Sequence, residues 1–347
     1  MNRYRLAVIP GDGIGPEVVT IGLEVLTSLA DKHGFKLDLE RFPFGGDHYL
    51  KTGETLSGES LVGLRSFDAI LLGAVGSPDV KPGILEQGIL LKLRFELDQY
   101  INLRPVKLYS GIETPLKDKT TNDIDYVVIR ENTGGLYSGI GGVAMKGSAD
   151  EVAVQSMVYN HRQVLRCLEY AFGVAAKRPA KTLALIGKTN VLTYVFDLWE
   201  RLFHEVGSQQ FPDVQREYYH VDAACMHMVN QPERFDVMVT TNMFGDIITD
   251  LGAITQGGMG MAASGNINPT RENPSMFEPV HGSAPDIVGQ NKANPLATVL
   301  TVKMLLEFLD EREAAFDVDR VLSEVASVIS IKSAGTREIG DAVLKLI

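Results

Sequence analysis

The sequence predicts an α/β protein with a largely parallel sheet, and three observations carry that prediction. Apolar runs of strand length alternate with runs of helical periodicity from the first residues onward. The C-terminal third is mostly helical. No internal repeat and no low-complexity tract interrupts the order. Alternation of this kind favours parallel pairing, because parallel strands need a long crossover that a helix supplies.

Tyr4–Ile9 is an apolar run of strand length, and Pro16–Ala30 carries apolar residues at helical spacing behind a proline suited to a first turn. Phe35–Phe42 is strand-like and Ser57–Ser66 helical, and Ala69–Leu72 is a short apolar run between Asp68 and Gly73. Gly88–Arg94 reads as helix, with Ile89, Leu93, Leu97 and Tyr100 as its core stripe. Strands are expected again at Asp125–Ile129, Thr182–Ile186 and Asp236–Thr241, with helices His161–Lys177 and Leu192–Glu205 among them. Pro295–Leu309, Val318–Ile329 and Gly335–Leu346 are the C-terminal helices. Two stretches break the pattern. Gly134–Gly147 is glycine-rich and leads to a strand-like run, Val152–Val158, which suits an arm leaving the main body. Gly257–Pro295 is long, rich in Gly, Pro, Asn and Ser, and shows little periodicity; such segments inside compact domains tend to be functional.

The 347 residues suggest about two domains. A hydrophobic share of 45% and a charged share of 22% are those of an ordinary globular chain. A formal net charge of −11 argues against nucleic acid or anionic membrane as partner. It also means that an anionic substrate needs a local cluster of arginines. Cys167 and Cys225 make no disulfide framework, and each reads as a small buried residue. Leu6 to Pro10 is too short for a signal-peptide core, and no apolar run reaches membrane-spanning length. A soluble protein of the reducing cytoplasm is expected.

Several groups are suited to chemistry. Asp246 and Asp250 lie four residues apart, on one face of a helix. Like charges there repel by a few tenths of a kcal/mol, at roughly the scale of a surface pair. A divalent cation would reverse that sign, while a helix start can also tolerate the acids unaided. Arg94, with Leu90 four residues before it, sets a guanidinium beside an apolar surface. Arg104 lies in Asn102-Leu103-Arg104-Pro105, and Arg130 ends a strand. Each arginine suits bidentate carboxylate binding or an ordinary salt bridge. Tyr137 sits in the glycine-rich excursion. Lys188 follows a strand, where open α/β sheets place ligand groups and where a lysine can also serve solubility alone. Gly11-Asp12-Gly13-Ile14-Gly15 lacks the spacing of a dinucleotide fingerprint and reads as a tight turn. His281-Gly282-Ser283-Ala284-Pro285-Asp286-Ile287 is the better nucleotide candidate: small residues let backbone approach a ligand, and Asp286 would accept from ribose hydroxyls and repel a 2′-phosphate.

Taken together in order, these motifs resemble the β-decarboxylating dehydrogenases, the family that acts on isopropylmalate, isocitrate, homoisocitrate and tartrate. The matching segments are Gly11–Glu17, Asn102–Pro105, Arg130–Thr133, Lys188–Asn190, Asn242–Asp250 and Glu278–Asp286, so the resemblance spans essentially the whole chain. It implies a two-domain fold with a shared mixed sheet, distinct from the Rossmann type. One domain, 1–103 plus 254–347, would bind the cofactor; the other, 104–253, would hold substrate and metal and dimerise, with an arm at about 134–158. The resemblance further implies NAD and Mg2+ or Mn2+ as cofactors and a homodimer with shared active sites. Arg94, Arg104 and Arg130 match carboxylate-binding arginines. Asp222, Asp246 and Asp250 match metal ligands, with Asp222 and the base Lys188 reaching the partner's site. Tyr137 matches the acid that protonates the enol. His281, Gly282, Ser283, Ala284, Asp286, Ile287 and Asn294 match the adenosine loop. Leu90 and Leu91 stand where isocitrate enzymes place polar residues, so isopropylmalate is the expected substrate, with tartrate or D-malate as the alternative. One departure is Glu86, which lies eight residues before Arg94, where many isopropylmalate enzymes have a glutamate seven before.

Overall fold

The computed structural model describes residues 2–347. The chain forms two compact units, one of Met1–Gln99, Lys107–Thr121 and Ala253–Ile347, the other of Tyr100–Val106 and Asn122–Gly252.

Five strands build the first unit, in the order Lys36–Arg41, Arg3–Gly11, Ala69–Ala74, Ser275–Pro279, Ala263–Ile267. The first four run parallel and the fifth antiparallel to its neighbour. Ala69–Ala74 is buried at every residue, which is why it reads as a continuous apolar run without alternation. Helices Gly15–His33 and Leu296–Phe308 approach closely at Gly22, where an added Cβ would lie 2.7 Å from the Thr298 side chain.

The expectation of an irregular stretch over 257–295 is corrected by two buried strands within it, Ala263–Ile267 and Ser275–Pro279. Both are five residues long and buried throughout, so they show no alternation. Ser264, Asn266, Ser275 and Glu278 face inward, which hides their strand character from a hydrophobicity pattern. Gly88–Arg94 is also more particular than expected. A π-helical turn at Glu86–Leu91 leads into the α-helix Lys92–Glu96. The stripe of Ile89, Leu93, Leu97 and Tyr100 is buried as its spacing predicts. A π turn takes in one residue more than an α turn. It therefore sets the register between Glu86 and Arg94 in this chain.

The second unit holds the strands Ile101–Lys107, Asp125–Glu131, Val237–Thr240, Thr182–Gly187 and Gln215–His220, in that order. Val237–Thr240 pairs in parallel with both neighbours, and Thr182–Gly187 with Gln215–His220. Ile101–Lys107 and Gln215–His220 escape the sequence pattern because charged and polar residues lie within them. Helices His161–Ala175 and Thr193–Gln209 pack through Phe172 and Phe203, whose ring centroids are 5.2 Å apart. From this unit emerges an antiparallel ribbon, Gly141–Ala144 with Val152–Gln155, exposed at every residue. Its root closes with a bridge between Gly135 and Val158. Cys167 is buried as expected, whereas Cys225 is only half-buried. Among the described residues, no helix is long and apolar enough to cross a membrane.

Candidate active site

Asn242–Thr255 is a helix that starts just past the strand Val237–Thr240, at the strand's C-terminal end. It carries Asp246 and Asp250 one turn apart. Asp246 Oδ1 accepts from Arg130 Nη1 at 2.5 Å, and Oδ2 accepts from Tyr137 Oη at 2.8 Å. The Arg104 guanidinium lies 3.7 Å from Asp246 and 3.7 Å from Asp250. Both arginines are buried, at 7% and 1% exposure, so acidic partners offset a desolvation cost of several kcal/mol per charge, to order of magnitude. Their orientation is set from behind. Asn242 Oδ1 accepts from Arg130 Nε and Nη2, at 3.0 and 2.8 Å. Asn102 Oδ1 and Thr249 Oγ1 accept from Arg104, at 2.8 and 2.6 Å. Burial raises the Asp250 carboxyl, and the Asp246 charge adds to this, while Arg104 and Arg130 oppose it.

Tyr137 is delivered by the short turn Leu136–Ser138, which begins at Gly135 in the left-handed region, φ +70°. Upstream, Glu131 is buried and accepts from the Thr133 amide, the Thr133 hydroxyl and the Gly134 amide. Burial raises this carboxyl, while those three hydrogen bonds oppose the shift.

Lys188 and Asp222 form a separate pair. Lys188 Nζ donates to Asp222 Oδ1 at 2.6 Å, and this hydrogen bond holds the Asp222 carboxyl below its ordinary value. Among the described residues, no three His, Cys, Asp or Glu side chains gather to hold a metal ion. One chain thus brings Asp246 and Asp250 together and leaves Asp222 with Lys188. Asp222 lies on the helix Val221–Asn230, whose Met226 and Val229 are exposed, as are Met243, Ile247 and Ile254 on the helix of Asp246.

In the first unit, Arg94 Nη2 donates to Glu278 Oε1 at 3.1 Å, and Asn266 Nδ2 donates to the same oxygen at 2.7 Å. The Arg94 Nε–H is buried and has no hydrogen-bond partner among the described residues. Leu90 packs partly against the core cluster of Leu85, Ile89 and Leu93, and Leu91 is half-buried.

His281–Asn294 leads to the helix Leu296–Phe308, with Asn294 Oδ1 accepting from the Leu296 amide at 3.0 Å. The glycine turn at the end of the first strand supports this loop. Ile14 N donates to Ser283 O at 2.9 Å, and a Cβ on Gly13 would sit 1.9 Å from that oxygen. Ile14 and Val18 pack with Ala293, Ala284 and Ile287. Ala284 adopts φ +42°, which is strained for a residue with a Cβ. Gly282 has open space above it and Asp286 is exposed. His281 bonds the Gly282 carbonyl through Nδ1 at 3.0 Å, so that nitrogen carries the proton. Burial lowers its basicity, and Nε2 remains a buried acceptor with no partner among the described residues.

Sequence reasoning missed Asn242, which ties Arg130 to the turn of Tyr137, and Glu278, which pairs with Arg94. Both lie inside motifs recognised as segments, yet their roles depend on contacts more than 100 residues away in sequence.

The family model for isocitrate/isopropylmalate dehydrogenase matches residues 5–343. A 3-isopropylmalate dehydrogenase of Thermobifida fusca is 54% identical over 93% of this chain and 91% of its own length. One of Streptomyces avermitilis is 52% identical, with 98% of this chain and 97% of its own covered. The crystal structure of isocitrate dehydrogenase from Methylococcus capsulatus superposes with a TM-score of 0.87 at 31% identity, covering 99% of both chains. A match to the family model over nearly all of its residues, relatives at half identity and a common fold together make this chain a member of the isocitrate/isopropylmalate dehydrogenase family.

Proposed function

We propose that the chain catalyses the NAD-dependent oxidative decarboxylation of (2R,3S)-3-isopropylmalate to 4-methyl-2-oxopentanoate and carbon dioxide, a step of leucine biosynthesis. The observation that carries this reading is identity of about half over nearly the full length with proteins named 3-isopropylmalate dehydrogenase. The apolar Leu90 and Leu91 before Arg94 support the same substrate, because a third carboxylate against leucine would be costly unless paired.

The residues present fit both cofactors. Asp246 and Asp250 offer hard oxygen donors to Mg2+ or Mn2+, with Asp222 of the partner subunit completing the set. The loop His281–Asn294 offers open backbone at Gly282, a bare buried acceptor at His281 Nε2, and an exposed Asp286 that disfavours the 2′-phosphate of NADP. When bound, the cation would supply positive charge beside the developing oxyanions, and NAD would supply the acceptor for the C2 hydride.

The chain's own residues do the rest. Arg94, Arg104 and Arg130 bind the two carboxylates; the unsatisfied Nε–H of Arg94 is a donor suited to one of them. Lys188, from the partner subunit, takes the C2 hydroxyl proton as the 2-keto acid forms. The β-carboxylate then leaves as carbon dioxide, its bonding pair passing into the enolate. Tyr137 then donates a proton to C3, the carbon from which the carboxylate has departed, and the enolate becomes the ketone. The assembly is a homodimer, with neither nucleic acid nor membrane as partner, and it works in the cytoplasm. Specificity constants for 3-isopropylmalate, D-malate, tartrate, isocitrate and homoisocitrate, each with NAD and Mn2+, test the reading. A preference for 3-isopropylmalate is expected, and a higher constant for any other acid would refute it.

A further inference from the structure

Tyr159 lies outside every motif that led to the site, yet two of the segments that build the site meet on it. It follows the arm's return strand and precedes the helix His161–Ala175, whose start is fixed by an Asn160–Gln163 capping box. Its hydroxyl accepts from the backbone amide of Asn242 at 2.8 Å. Asn242 opens the helix of Asp246 and Asp250, and the first amides of a helix have no partner within it. One of these is therefore satisfied by a side chain from another element.

The same residue shapes the turn of Tyr137. A Cβ at Gly134 would lie 2.7 Å from the Tyr159 ring, and one at Gly135 would lie 2.5 Å from its hydroxyl. The tyrosine thus fills the space beside the two glycines that open the Leu136–Ser138 turn. Asn242 closes the circuit, donating from Nδ2 to Gly134 O at 3.2 Å while its Oδ1 holds Arg130. The far edge of the ring meets Trp199, with centroids 5.5 Å apart and planes at 89°.

The structure assigns Tyr159 as a positioning residue: its hydroxyl and ring set the spacing between the Tyr137 turn and the helix that carries Asp246 and Asp250. This assignment rests on the proposed reaction for its kinetic consequence but not for its structural one. Tyr137 Oη reaches Asp246 Oδ2 only if both segments keep their relative place. The hydrogen bond from the Asn242 amide runs from a backbone atom of the helix to the residue packed on the turn.

Tyr159→Phe keeps the ring against Gly134, Gly135 and Trp199 and removes only the acceptor. With 3-isopropylmalate, NAD and Mn2+, kcat is expected to fall about tenfold, the loss typical of one well-made hydrogen bond. The KM for NAD should stay within about twofold, because the cofactor loop belongs to other residues. The solvent deuterium isotope effect on kcat should rise, since proton delivery by Tyr137 becomes slower. Hydrogen exchange at the Asn242 amide should speed up about tenfold or more. Trp199→Phe is the control: it loosens the same packing and leaves the hydroxyl in place, and the indole N–H makes no hydrogen bond among the described residues. It should leave the isotope effect and the Asn242 exchange unchanged. An unaltered kcat and isotope effect in Tyr159→Phe would overturn the assignment, as would the same changes in Trp199→Phe. If Tyr159→Phe does not fold, 3-fluorotyrosine at 159 weakens the acceptor while keeping the shape, and the same readouts decide. If the unmodified enzyme fails to oxidise 3-isopropylmalate, the proposed function falls, and exchange at Asn242 alone then decides whether the clamp exists.

Discussion

Asp246 is the point on which three side chains of the second unit converge, with Arg130 and Tyr137 as hydrogen-bond donors and Arg104 at 3.7 Å. Its negative charge offsets that of two buried guanidiniums and, in the proposed reaction, helps hold the cation. Asp246→Asn keeps the shape and the possibility of accepting hydrogen bonds but removes the charge. We expect kcat for 3-isopropylmalate to fall by at least ~10²-fold, since partners one shell further out already cost 10- to 100-fold (roughly) when removed. The far-ultraviolet circular dichroism and the cooperativity of unfolding should be retained. Activity within tenfold of the unmodified enzyme at saturating Mn2+ would remove Asp246 from the ligand set. The pair Asp246 and Asp250 was legible in the sequence because helical spacing alone puts them on one face. Asn242 and Tyr159 were not, because an amide or a phenol has no periodic signature. Their roles arise from contacts between segments that local pattern does not relate.

At the scale of elements, the π turn Glu86–Leu91 shows what one residue of register can do. It keeps Ile89 and Leu93 in the core while presenting Leu90 and Leu91 half-buried ahead of Arg94. Because Leu90 also packs on the core, Leu91 is the cleaner probe of the substrate's side group. Leu91→Ala should lower kcat/KM for 3-isopropylmalate by about 10- to 200-fold, the span expected for one or two methyl groups. The constant for D-malate, which lacks the isopropyl group, should change by less than about twofold. Equal losses on both acids would identify Leu91 as packing alone.

A second element carries a pH dependence. Asp319, on the helix Arg312–Val328, faces Lys303, Lys107 and Tyr109. Burial raises its carboxyl, but the charge of Lys303 and the hydrogen bonds from Lys107, Lys303 and Tyr109 outweigh this and hold it at about 2. A folded-state value below the unfolded 3.8 means that the unfolded chain binds the proton first as pH falls. The stabilisation, about 2 kcal/mol, is therefore complete above pH ~5 and fades as pH drops toward 2. Urea unfolding at pH 6 should show Asp319→Asn destabilised, and at pH 3 the gap should narrow by about 1 kcal/mol. A gap that stays constant over that range would place the stabilisation elsewhere.

At the scale of the whole molecule, the proposed homodimer would set Lys188 and Asp222 of one chain beside Asp246 and Asp250 of the other. A heterodimer of one Lys188→Ala chain and one Arg94→Ala chain would contain one site with every residue intact and one lacking both. Each homodimer should be nearly inactive, and the purified heterodimer should regain about half of the unmodified activity per dimer. Heterodimers as inactive as their parents would put Lys188 in the site of its own chain. The α/β class, the arm and the order of motifs were legible from alternation and composition. The antiparallel strand Ala263–Ile267 and its neighbour Ser275–Pro279 were not, because burial on both faces and inward polar side chains erase the pattern that betrays a strand.

The strand order of the first unit also bears on how the chain comes off the ribosome. Ala69–Ala74, wholly apolar, gains one neighbour from Arg3–Gly11 early in translation, but its other neighbour, Ser275–Pro279, follows some two hundred residues later. During that interval an apolar strand edge is open, the kind of edge that pairs with other chains. The second unit draws all of its residues from 100–252 and has its strands by then. The unit that starts first is thus the one that receives its last strands last.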